Sequence, residues 1–360
     1  MNISKTIHTD FSAEPLTEYI LKNDNNMSVH ILSYGATIYK IYVPDKNNQP
    51  QNVVLSFLDI NNYYKNTLLT GSCLGPNAGR LENALLPVKD HIYTLSKNEG
   101  KHQIHGGFSN ISYAFWKEES FCCFEDKISL TLSCFLPDQT DGYPGNRTFY
   151  ATYELLNDNT LSLTLKCTTD ACTYVNLSNH AYFNLSGNFQ TSALLSHMQI
   201  QSENYLKIND EHISKEICPV LDTPFDYRTP RRISYVLSSY ENNLQTTIGK
   251  GYNHAFSLDN TNVNGKDLQK MYQLTLWDET SNRRLRICTD APCIVVYSGG
   301  FIGNDLAIDN SISSKSCAIA FEAQDYPNAP IFGDFPSKLT DPLHPLERKI
   351  SFSFDCTDTI

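Results

Sequence analysis

Two residues in this sequence are best suited to moving protons. His180 lies in Val175-Asn176-Leu177-Ser178-Asn179-His180-Ala181-Tyr182-Phe183-Asn184-Leu185, and Glu322 lies in Ala320-Phe321-Glu322-Ala323-Gln324-Asp325-Tyr326-Pro327. The histidine stretch contains no Lys, Arg, Asp or Glu, which suits a half-buried strand passing under a pocket, with amide and imidazole groups on one side. An imidazole gains or loses a proton near neutral pH. Glu322 follows an apolar run and precedes an aromatic-proline turn. A carboxylate partly withdrawn from water there has a raised pKa and can act as a base. Each residue also has a plain reading, a core histidine satisfied by backbone and a carboxylate that caps a turn.

Three further polar stretches bear on the chemistry. Gly71 to Ala84 is rich in glycine and carries Arg80 and Asn83, both able to face a ligand, but it lacks the Lys-Ser/Thr pair and following helix of a phosphate loop. Lys101-His102-Gln103-Ile104-His105-Gly106-Gly107-Phe108 sets two histidines beside a glycine pair that lets backbone approach a ligand closely. Their spacing on a loop gives little support for a metal, so a polar ligand is preferred. Asp138 to Gly145 reads as a sharp turn. The whole set can take a proton from one oxygen and give one to another. It offers no nucleophile motif, metal set or redox group, and no cofactor is expected.

The elements that must position these groups are strands. Ile128, Leu130, Leu132 and Cys134 alternate with Ser129, Thr131 and Ser133, and the pattern recurs at 161–167, 273–277, 284–288 and 350–354. Period-two alternation between turn clusters such as Pro44–Asn48, Asn157–Asn159 and Asp259–Asn262 predicts antiparallel strands with one buried face. Twenty or more short strands are too many for a small barrel, so large stacked sheets are expected. A short helix is predicted near Asn61-Asn62-Tyr63-Tyr64. With no linker or repeat along 360 residues, the expectation is one all-β domain spanning residues 1–360.

Composition narrows the class. Net charge is −11, which disfavours nucleic acid or an anionic membrane as partner. The N-terminus lacks the pattern of a signal peptide, and no apolar run reaches the length of a membrane span. Eleven cysteines without a C-x-x-C, most of them in apolar runs, predict reduced, buried thiols and a cytoplasmic location.

In order along the chain, seven segments resemble the aldose 1-epimerases, also called galactose mutarotases. They are Gly79-Arg80-x-x-Asn83; His105-Gly106-Gly107 followed by Trp116; Asp141-Gly142-Tyr143-Pro144-Gly145; Asn176-Leu177-x-Asn179-His180-x-Tyr182-Phe183-Asn184-Leu185; Gly251-Tyr252-x-His254-x-Phe256; Glu322-x-Gln324 before Pro327; and Phe335-Pro336. The resemblance implies a large antiparallel β-sandwich with an open sugar site, no metal and no cofactor. It implies that Glu322 takes the anomeric hydroxyl proton as base and His180 protonates the ring oxygen as acid. His105 would hydrogen-bond near the ring oxygen, and Asn83, Asn253, Arg80, Tyr182 and Gln324 would hold the sugar. The family pattern has Arg where this chain has Ala84 and Asp where it has Asn253, so the preferred sugar is expected to differ while the proton chemistry survives. The competing expectation is a sugar-binding protein without catalysis on the same fold.

Overall fold

The computed structural model describes residues 1–11, 14–258, 272–303, 307–308 and 311–358. Strict alternation produces its longest strands. Lys127–Leu136, Arg147–Leu156 and Thr160–Thr169 each run ten residues, and in Arg147–Leu156 every second side chain is buried. They pair antiparallel in register, Leu132 opposite Ala151 and Ala151 opposite Leu165, so their apolar faces coincide. They form part of a nine-stranded sheet. Its order is Lys117–Cys123, Lys127–Leu136, Arg147–Leu156, Thr160–Thr169, Leu346–Cys356, Arg283–Thr289, Leu274–Trp277, His197–Ile200 and Arg231–Arg232.

A six-stranded antiparallel sheet carries the chemistry, in the order Tyr182–Phe183, Ile319–Gln324, Cys293–Tyr297, Asn253–Ser257, Asn204–Ile208 and Ser214–Pro219. Five N-terminal strands between Asn2 and Asn52 form a third sheet. The main core joins all three through residues such as Ile31, Ile38, Leu132, Phe149, Leu163, Val296 and Phe321. The all-β antiparallel architecture expected from alternation is the one observed. Arg283, 1% exposed, donates to the carbonyls of Val43, Gln49, Leu185 and Ser186, tying the nine-stranded sheet to the N-terminal sheet and to the end of the His180 segment.

The His180 stretch differs from the half-buried strand that was expected. Every residue from 175 to 185 is buried, and the segment forms two two-residue strands, Ser178–Asn179 on Cys73–Leu74 and Tyr182–Phe183 on Ile319–Ala320. Its asparagines break the ladder by binding backbone instead. Asn176 donates to Ala78 O and accepts from Asp325 N–H, Asn179 bridges Gly71 O and Ala181 N–H, and Asn184 donates to the carbonyls of Thr191 and Cys317. These amides staple the loop rather than face a ligand.

The predicted short helix is a 3₁₀ turn, Ile60–Lys65, capped by Asp59. Two α-helices, Ile233–Ser239 and Leu244–Ile248, had no periodic signal because each is under two turns long. The turn read at Asp259–Asn262 lies outside the described residues. All eleven cysteines are free; seven are buried, while Cys122, Cys123 and Cys356 are exposed. Among the described residues no helix is long and apolar enough to cross a membrane.

Candidate active site

Strand alternation in the six-stranded sheet separates core from cleft. Ile319, Phe321 and Ala323 enter the main core, so Glu322 and Gln324 project from the opposite face. Next door, Ile294 and Val296 point to the core while Val295 and Tyr297 line the cleft. Beyond them Asn253 and Ala255 do the same, with Ala255 opposite Val295 and Val295 opposite Glu322. The result is a floor three strands wide under a cleft of about 540 Å³, within the usual range for small-molecule sites.

Loops supply the walls. His180 reaches the cleft because its own N–H donates to Ser72 O (2.9 Å) and its carbonyl accepts from Gly71 N–H (2.9 Å), fixing the chain on both sides of the ring. The imidazole stacks on Tyr182 at 4.7 Å between centroids, and the Tyr182 hydroxyl is spent on Leu68 O. Tyr182 therefore lines the cleft mainly as the support of His180. Nε2 of His180 lies 3.6 Å from Oε1 of Glu322, with both side chains almost fully buried.

Burial sets the proton content of this pair. It raises the Glu322 carboxyl to about 8, a rise moderated by Arg80, and lowers His180 to about 4. Between those values the two groups together hold one proton. Desolvation favours the neutral form with that proton on Glu322, whereas the 3.6 Å approach favours the ion pair by Coulomb attraction. The two forms differ by one proton transfer.

His105 has φ +49° and makes reciprocal bonds with Gly79: its backbone N–H donates to Gly79 O (3.0 Å), and Gly79 N–H donates to its Nδ1 (3.2 Å). An N–H pointing at Nδ1 requires the ring proton to sit on Nε2. Burial above all, then His180 and Arg80, hold His105 well below the usual imidazole range, so it is a neutral N–H donor. Donor atoms of His105, His180 and Glu322 lie within 4.8 Å of one another, a metal-like spacing. With Nδ1 occupied and Nε2 protonated, however, His105 has no free lone pair for a metal. The loop carrying it is held by Asp141, whose carboxylate accepts from the N–H groups of Phe108 and Ser109. The turn read at Asp138–Gly145 is thus also a clamp.

Gln324 is fully buried, and among the described residues neither its amide oxygen nor its nitrogen has a partner. A cleft-lining amide with both groups free of protein partners suits a hydroxylated ligand. Gly79, at φ +77°, lets the chain pass close to it, since a Cβ there would sit 3.0 Å from the Gln324 nitrogen. Arg80 lines the cleft with Nε and Nη2 paired to Glu99 at 2.6 and 2.8 Å. Nη1 has no partner among the described residues and is available to a ligand.

Not every residue read as a ligand contact reaches the cleft. Asn83 is exposed, has φ +56° and gives its backbone N–H to His102 Nδ1 (3.0 Å), so its side chain turns outward. Ala84 is fully buried among Leu81, Leu86, Val88, Leu95, Tyr143 and Tyr174. His102 does not join His105; its Nε2 lies 3.5 Å from Glu211. Away from the cleft, Arg228 pairs with Asp226 and Glu203 and Arg232 with Glu279. Glu99, Glu211, His212, Tyr297 and Phe301 line the cleft without having been marked in the sequence. The turn chemistry around Asn209 and the glycine pair before Phe301 were the available signals.

A model of the aldose 1-epimerase family matches residues 17–353. The chain belongs to this family. It is 30% identical over 312 residues to an aldose 1-epimerase of Haemophilus influenzae, covering 86% of each chain. It is 26% identical over 330 residues to the galactose mutarotase of Homo sapiens, covering 91% of each. The crystal structure of a galactose 1-epimerase from Lactobacillus acidophilus superposes with a TM-score of 0.85 at 27% identity, covering 99% of both chains. Position 84 lies in the core, and among the described residues that line the cleft the cation is Arg80.

Proposed function

We propose that this protein is an aldose 1-epimerase, an isomerase that interconverts the α and β anomers of a free sugar. The carrying observation is the buried His180–Glu322 pair, 3.6 Å apart in a cleft that also holds Gln324, whose amide has no partner among the described residues. In the reading we favour, Glu322 takes the proton from the anomeric hydroxyl while His180 gives one to the ring oxygen. The bond between C1 and the ring oxygen breaks, and the aldehyde carbonyl forms. Rotation about C1–C2 exposes the other carbonyl face, and the same transfers in reverse close the ring. The pair begins with one proton and ends with one, so the cycle needs no other reactant. His105 Nε2–H, with its tautomer held by Gly79, would donate to oxygen as charge develops. Gln324 and Arg80 would orient hydroxyls.

Polarimetry on freshly dissolved α-galactose, α-glucose, α-xylose and α-maltose tests the activity. Acceleration of any of them supports the proposal. No acceleration, alongside sugar binding by calorimetry, would instead mean a binding protein on this fold.

The pair also dictates a pH profile. Below about 4 both groups are protonated and no base remains; above about 8 both have lost their protons and no acid remains. Plotted against pH, kcat/KM is expected to be flat between these limits and to fall on both sides. A single limb near pH 6.5 would point to an unperturbed histidine in place of the pair.

A further inference from the structure

In the wall of the same cleft, the turn between strands Asn204–Ile208 and Ser214–Pro219 carries Glu211 and His212. This turn is built to hold one shape. Asn209 Oδ1 accepts from the N–H groups of Glu211 and Ile213, and His212 N–H donates to Asn209 O at 2.8 Å. Glu211 pairs with Lys101 (2.7 Å), and Lys215 pairs with Glu82 (2.6 Å), so both ends of the turn are tied to the segment that bears Arg80 and His105. His212 itself has φ +62°, a left-handed backbone that histidine adopts more readily than most side chains.

Its ring is fixed as well. The Asn253 side-chain N–H donates to His212 Nδ1 at 3.0 Å, and the ring packs against Phe301 at 5.3 Å between centroids. Phe301 is in turn held by Lys250, 4.3 Å from its centroid. Nδ1 is therefore an acceptor and Nε2 carries the ring proton. Nε2 has no protein partner among the described residues, and burial and Arg80 favour the neutral ring. Three features converge: a turn that carries the ring into the cleft, a fixed tautomer and a donor without a partner among the described residues.

We propose that His212 is a sugar-contacting residue whose Nε2–H donates to one hydroxyl of the substrate, and that Asn253 acts through it as a positioning residue, so that the pair helps to set which sugar is preferred. This rests on the epimerase reading above. It changes the meaning of the amide at 253. An aspartate there would accept from Nδ1–H and move the ring proton away from Nε2, whereas Asn253 preserves the donor.

Two variants separate contact from fold. His212→Asn suits the left-handed backbone and keeps an acceptor near the Nδ1 position, but removes the reach of Nε2. His212→Gln restores an N–H at about that reach. Both are assayed by polarimetry on the active sugar and its monodeoxy analogues, with thermal melts to verify folding. The expected result is a KM raised about three- to tenfold in His212→Asn, with kcat nearly unchanged and KM largely recovered in His212→Gln. One monodeoxy sugar should lose a similar factor with wild type and no further factor with His212→Asn, which identifies the hydroxyl. An unchanged KM in a folded His212→Asn, or equal deoxy penalties in wild type and variant, overturns the proposal while leaving the epimerase reading intact. Absence of mutarotation by the wild-type protein overturns both.

Discussion

Glu322→Gln is expected to lower kcat about a hundred- to ten-thousandfold while leaving KM close to the wild-type value. The amide keeps the size of the carboxyl and its hydrogen-bonding capacity, so sugar still binds. It cannot accept a proton and pass it on, so ring opening loses its base, a barrier increase of about 3–5.5 kcal/mol. The fold should tolerate the change. Glu322 is 4% exposed, and replacing an ionisable group there with a neutral one removes a desolvation cost. Circular dichroism and a thermal melt would establish that the variant is folded. His180→Gln should cost a comparable factor. The double variant should be little worse than either single one, because the two residues act as one relay. Near-wild-type kcat in folded Glu322→Gln would mean that another group in the cleft takes the anomeric proton.

Much of this site was legible because chemistry and strand period point to the same residues. Alternation in Ile319–Gln324 buries every second residue in the core, which leaves Glu322 and Gln324 together on the other face. His180 stood out as the one imidazole in a stretch without Lys, Arg, Asp or Glu. What alternation could not convey was how loops turn. Arg80 and Asn83 sit three apart in one glycine-rich segment, and the sequence treats them alike. In the structure Arg80 pairs on Gln103–Ile104 and lines the cleft, while the chain turns left-handed at Asn83 and Ala84 and leaves Asn83 facing solvent. The asparagines around His180 misled for a related reason. A short amide serves backbone or ligand equally well, and here the buried backbone takes all three. His212 carried no signal beyond its neighbours' turn propensity, since its place in the cleft depends on pairs such as Lys101–Glu211 that join distant parts of the chain.

Position 84 shows what that difference means for engineering the sugar preference. From the family pattern alone, Ala84→Arg would add a hydroxyl-binding cation. The structure leads to the opposite expectation, a loss of about 3–5 kcal/mol of stability, because the side chain at 84 enters an apolar cluster and the new charge would be buried without a partner. Typical total stabilities are about 5–15 kcal/mol, so much of the variant would unfold under mild conditions. The backbone gives little room for escape: Ala84 has φ +53°, and its carbonyl accepts from Leu95 N–H at 2.8 Å, pinning the residue against the neighbouring hairpin. Urea unfolding of Ala84→Arg beside wild type measures the effect directly. Asn253→Asp is the informative contrast, since position 253 lines the cleft, where a carboxylate can be solvated and can bond His212. That variant should stay folded and shift sugar preference. An equally stable Ala84→Arg with improved turnover of galactose or glucose would mean that the 83–84 turn can swing its side chain into the cleft, and that Arg80 is not the sole cation the sugar meets.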